Sequence, residues 1–84
     1  MPTAGAVRLA WNPSGSPDVA VYAIYRAGET GDFVRIATTM AIATVYVDRD
    51  VRPGTTYRYA VTALDRARRP NESPRSNEIL VRVP

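Results

Sequence analysis

The stretch YVDRDVRPGTTYRYAVTALD, residues 46–65, decides the fold. Its second half alternates without a break: Tyr57, Tyr59, Val61 and Ala63 share one face of an extended chain, while Arg58, Ala60, Thr62 and Leu64 share the other. A period of two sends one row of side chains into a core and the other outward, as in a sheet buried on one side. The first half closes a shorter strand, TVYVD at 44–48, and turns from Asp48 to Pro53 before PGTT leads into the long strand.

The same period runs outward in both directions. In AVRLAW (6–11), Val7, Leu9 and Trp11 alternate with Arg8 and Ala10, and Asn12 to Asp18 is a loop rich in Pro, Gly and Ser. VAVYAIYR (19–26) places Tyr22 and Ile24 on one face and Ala23 and Tyr25 on the other. AGETGD (27–32) then closes a hairpin onto Phe33 to Thr38. A polar loop from Asp65 to Asn77 precedes the last strand, Glu78 to Val83, where Ile79, Val81 and Val83 alternate with Leu80 and Arg82. Thr39 to Ala43 holds no Gly, Pro, Asn or Asp, so no turn can be placed there; a helix is the competing reading, but the run is too short to nucleate one. Six short strands separated by turn signals predict an all-β sandwich or barrel, and 84 residues make one domain, 1–84. By inward phase the core is expected to hold Trp11, Tyr22, Ile24, Tyr57, Tyr59 and Val61.

Several motifs together resemble bacterial fibronectin type III modules: a Trp closing the first full strand, VYAIYR (21–26), the stretch 46–65, and ESPRSNEILVRVP (72–84). Tyr57, three residues after Gly54, resembles that family's tyrosine corner, in which the phenol bonds back to an upstream backbone group and pins the crossing between sheets. The loop DRARRPNESPRSN (65–77) departs from the Gly-containing loop common in such modules. The resemblance implies an immunoglobulin-like sandwich of two antiparallel sheets with seven strands, of which six are visible. Only Met1 to Gly5 precede Val7 to Trp11, and PTAG (2–5) reads as a turn, because Pro2 lacks a ladder donor and Gly5 permits turn geometry. The first strand is therefore expected to be missing or truncated, leaving Val7 to Trp11 as an exposed edge.

Composition mainly excludes. With no His and no Cys, a Ser-His-Asp triad, a thiol nucleophile, a zinc site of the usual ligands and a disulfide framework are all ruled out. Met1 is followed by Pro2 and Thr3 instead of a basic and then an apolar run, so no signal peptide is expected in this stretch, and the longest uncharged stretch, Ile36 to Val47, is too short and Thr-rich to cross a bilayer. A carboxylate pair for glycoside hydrolysis would have to be Asp48 and Asp50, but Arg49 and Arg52 beside them would hold both ionised instead of raising one pKa, and DRD offers too few oxygens for calcium. A turn-capping role suits them better. No catalytic residue, cofactor or metal is expected.

Two surface features are candidate binding residues. All eleven basic side chains are Arg, and Arg66, Arg68, Arg69 and Arg75 fall in the loop before the last strand; the net charge of +3 is ordinary, and that loop has no aromatic for nucleic-acid stacking. Tyr25 faces outward, alone where a sugar platform needs two or three rings. Neither nucleic acid nor membrane is an expected partner. By resemblance, the expected role is a non-catalytic spacer or accessory module of a larger, secreted or surface bacterial protein such as a glycoside hydrolase, with neighbouring domains as partners. The alternatives are a protein-binding module using the Arg loop or a sheet edge, and a carbohydrate-binding module contacting polysaccharide.

Overall fold

The computed structural model describes residues 2–3, 5–13, 19–67, 71–75 and 78–84. Among the described residues seven strands form: β1 (Pro2–Thr3), β2 (Ala6–Ala10), β3 (Val19–Ala27), β4 (Val34–Met40), β5 (Val45–Asp48), β6 (Thr56–Asp65) and β7 (Ile79–Arg82). Two antiparallel sheets, ordered β1-β2-β5 and β4-β3-β6-β7, make an immunoglobulin-like sandwich. The two longest strands, β3 and β6, sit in the middle of the larger sheet, with Ile24 opposite Val61 and Tyr22 opposite Ala63. Their inward rows meet those of β2 in a core of Val7, Leu9, Ile24, Val51, Tyr59 and Val83, with Trp11, Ile36, Tyr46, Tyr57, Val61 and Val81 packed around it.

Two expectations need correction. Pro2 and Thr3 are not part of a turn: they pair with Val7 and Ala6, and Gly5, whose φ of 78° favours glycine, lies in the turn. The first strand is thus a two-residue stub. Pro2 is tolerated there because an edge strand does not need its missing donor. Consequently β2 is the middle strand of its sheet, flanked by β5 along its length and by β1 at Ala6 and Val7 only.

The second correction concerns the connection that lacked turn residues. β4 continues to Met40, and the chain then crosses to the other sheet through a tight turn at Ala41 and Ile42. The Ala43 N–H donates to Met40 O at 2.9 Å, and Thr39 Oγ1 donates to Ala43 O at 3.0 Å. Among the described residues only glycines have positive φ, so this turn has a conformation open to ordinary side chains and leaves no mark in the sequence. At the far end, Val83 extends the last strand beyond its ladder. Gly54 N–H donates to Val83 O at 2.8 Å and Val83 N–H to Thr55 O at 2.9 Å, and the side chain is fully buried.

Candidate functional site

The acidic pair considered for chemistry lies at the β5–β6 corner. Asp48 ends β5 with its side chain inward, and β3 delivers Arg26 to it on the same inward phase as Tyr22 and Ile24. Arg26 Nη1 donates to Asp48 Oδ2 at 2.9 Å and Oδ1 at 3.1 Å and to Asp50 O at 2.9 Å, while its Nη2 lies 3.5 Å from Asp50 Oδ2. The fully buried Tyr59 donates its hydroxyl to Asp48 Oδ2 at 2.7 Å, and the Asp50 N–H caps Asp48 Oδ1 at 3.1 Å. Burial above all, then the bond to Asp48 and its charge, push the Tyr59 phenol far up, so it stays a donor. Burial lowers the Arg26 guanidinium, but the hydrogen bond and charge of Asp48 outweigh it and the net direction is up. The partner expected from sequence is wrong: Arg49 and Arg52 are exposed, and Arg26, far upstream, supplies the cation.

Tyr57 completes the corner. Its hydroxyl oxygen accepts the Arg52 N–H at 3.0 Å across the turn, and its ring lies under the Arg26 guanidinium at 5.5 Å. Asp48 is only 2% exposed with its oxygens engaged, whereas the Asp50 side chain is 96% exposed, so the two do not flank a cleft in which a substrate could sit between them.

A second cluster covers the outer face of the larger sheet. The loop after β6 folds back over it: Asp65 accepts the N–H groups of Ala67 at 3.0 Å and Asn71 at 2.9 Å and the Asn71 amide at 2.9 Å, and Leu64 forms a bridge with Glu72. Ser73 Oγ accepts the Ala63 N–H at 2.9 Å, and Ser73 N–H donates to Ala63 O. Glu72 then accepts from Thr62 Oγ1 and from the Tyr25 hydroxyl, and Arg35 reaches Tyr25 Oη at 3.2 Å and Glu72 at 3.5 Å. The bonds from Thr62 and Tyr25, with the charge of Arg35, hold the Glu72 carboxyl below its ordinary value. The bonds from Asn71 and Ala67 do the same for Asp65. Bonded to Tyr25 first of all, the Arg35 guanidinium is raised.

The candidate residues thus separate. Tyr22 and Ile24 are buried with Tyr59, while Tyr57 and Val61 are half-buried against the core. Trp11, also half-buried, meets Tyr22 edge-on at 5.6 Å, and its Nε1 is enclosed with no acceptor. Tyr25 is half-buried, bonded to Glu72, and carries Arg35 over its ring at 5.6 Å. Arg66 is exposed, and Arg68 and Arg69 lie outside the described residues. Arg75 rests on Phe33 at 4.8 Å, a ring that Arg58 also approaches at 5.0 Å. Arg58 ties the β3–β4 hairpin to β7 by donating to Gly28 O, Gly31 O and Glu78. Sequence reasoning missed Arg26, Phe33, Arg35 and Glu72. Only Arg26 left a signal there: a charge on the inward phase of a central strand demands a buried partner.

No protein-family model matches the chain. Over 62 residues, 70% of the chain, it is 47% identical to an amylopullulanase from Thermoanaerobacter thermohydrosulfuricus, of which the match spans 4%. The fold superposes on a β-1,2-glucanase from Parabacteroides distasonis with a TM-score of 0.87 at 25% identity, covering 99% of the chain and 11% of that enzyme. It also superposes on an Fn3-like protein from Clostridium thermocellum with a TM-score of 0.76 at 28% identity, covering 98% of the chain and 84% of that protein. With the strand order and the tyrosine tie across the β5–β6 turn, these likenesses show that the chain has a fibronectin type III-like fold.

Proposed function

We propose that this domain is a non-catalytic accessory module, a spacer beside the catalytic domain of a larger glycoside hydrolase working outside the cell. The observation that carries the reading is the 47% identity to a segment amounting to 4% of an amylopullulanase. Three features support it. The buried acid is closed on Arg26 and Tyr59. The chain has no His or Cys. Its long axis of 40 Å suits a body that sets distance between domains. Extracellular placement follows from substrate chemistry, since polysaccharides of enzyme-substrate size do not cross membranes. The test is an assay of reducing ends released by the chain from pullulan, amylopectin and a β-glucan. No turnover is expected, and turnover lost on Asp48→Asn would overturn the reading.

A second reading, docking against a neighbouring protein domain, is favoured by the apolar side chains around the β4–β5 turn. Met40 is 71% exposed and Ile42 91%, with Val45 beside them. Their place is at the end of the sandwich where the chain changes sheets, not in the Arg loop.

A further inference from the structure

We infer that the outer face of the larger sheet carries a weak site for a neutral polyhydroxylated ligand, a saccharide, in the depression between β3, β6 and the loop before β7. The depression, about 340 Å³ and open to solvent, is lined by Tyr25, Thr62, Glu72, Ser73 and Arg75. That volume sits at the small end of the roughly 300–1,000 Å³ typical of small-molecule sites. Its floor is fixed. The Glu72 carboxylate is held by Tyr25, Thr62 and Arg35, and Ser73 Oγ accepts from Ala63 N–H and donates to Pro74 O at 3.1 Å.

Arg75 is different. Its guanidinium is positioned by the Phe33 ring, yet among the described residues its N–H groups have no hydrogen-bond acceptor. A planar fork of donors, oriented from behind and unspent in front, is poised for a ligand oxygen. The charge pattern selects the ligand class. An anion drawn to Arg75 meets the Glu72 carboxylate lining the same depression, and a cation drawn to Glu72 meets Arg75. A hydroxyl both donates and accepts, so adjacent hydroxyls of a sugar can donate to Glu72 and accept from Arg75 without carrying charge into the site.

Ring stacking does not contribute, because Tyr25 already carries Arg35 and Phe33 carries Arg58 and Arg75. Binding by a few solvent-accessible hydrogen bonds alone gives a dissociation constant on the order of 1 mM, so millimolar ligand fills a readable fraction of the site. The inference rests on the accessory-module reading only for the choice of a glucan as probe.

The experiment is a titration of the ¹⁵N-labelled chain with maltoheptaose, followed by amide shifts, with glucuronate and glucosamine as charged comparisons. Shifts should concentrate at Tyr25, Thr62, Glu72, Ser73 and Arg75. Arg75→Ala should weaken them at least about tenfold, as expected for loss of a charge-assisted donor. Arg75→Lys, which keeps the charge but not the fork, should weaken them by about threefold or more. Arg66→Ala serves as the control and should leave binding unchanged. The unfolding midpoint of each variant separates loss of the site from loss of the fold. No shifts with maltoheptaose at millimolar concentration, shifts unaffected by either Arg75 variant, or tighter binding of glucuronate would each overturn the inference. None of these would touch the accessory reading, which the reducing-end assay tests by itself.

Discussion

At Asp48 a single carboxylate answers four demands: the charge of Arg26, the hydroxyl of Tyr59, the N–H of Asp50 and its own desolvation. Removing it leaves a cation and a phenol without their acceptor. Asp48→Ala should therefore cost about 3 kcal/mol, near the low end for a broken buried pair because Arg26 keeps 20% of its side chain in water. A urea midpoint unchanged from the parent would show that the pair contributes nothing. Tyr57→Phe should cost less, about 1 kcal/mol, since the Arg52 N–H it leaves behind lies where water can replace the phenol. The difference between the two tyrosines is enclosure: Tyr59 is fully buried and Tyr57 only half. For that reason Tyr59→Phe, which strips a donor from a carboxylate that water cannot reach, should cost more than Tyr57→Phe in the same measurement.

The loop before β7 is the element whose behaviour depends most on charge. Asp65 and Glu72 fasten it to β6 and to the outer face, and both carboxyls lie below their ordinary values of 3.8 and 4.5. A depressed folded pKa means that the carboxylate contributes stability above the unfolded value and loses it as pH falls through the folded one. The loop should hold at neutral pH and loosen below about pH 4, the ordinary carboxylate range. Amide exchange at Asn71 and Ser73 reads this directly, and protection that stays constant down to pH 2 would refute it. Glu72→Gln should abolish part of the pH dependence while keeping an acceptor for Tyr25 and Thr62. This clasp was illegible in the sequence, where 65–77 is a run of polar and charged residues, because its partners Tyr25, Arg35 and Thr62 come from three different strands.

Across the whole molecule the sheets are closed at one end by Val83, which is fully buried and hydrogen-bonded to Gly54 and Thr55. Ending the chain at Arg82 should cost about 2–4 kcal/mol, one buried valine and two backbone bonds, a large share of a small domain's stability. Trp11 emission through a urea titration would measure it, since that ring packs edge-on against Tyr22. The strands of the sandwich were legible in the sequence because side chains alternate with a period of two, as residues 57–64 do, but burial does not follow that alternation along β6, where Ala60 and Thr62 of the row read as outward are buried with Tyr59. The tyrosine tie was legible for a related reason: its donor and acceptor are five residues apart, within one turn. Local chemistry does not say which distant charge meets which. The pairing of Arg26 with Asp48, the stacking of Arg75 on Phe33 and the two-residue β1 emerged only when the chain folded, since each joins segments brought together by sheet pairing and packing.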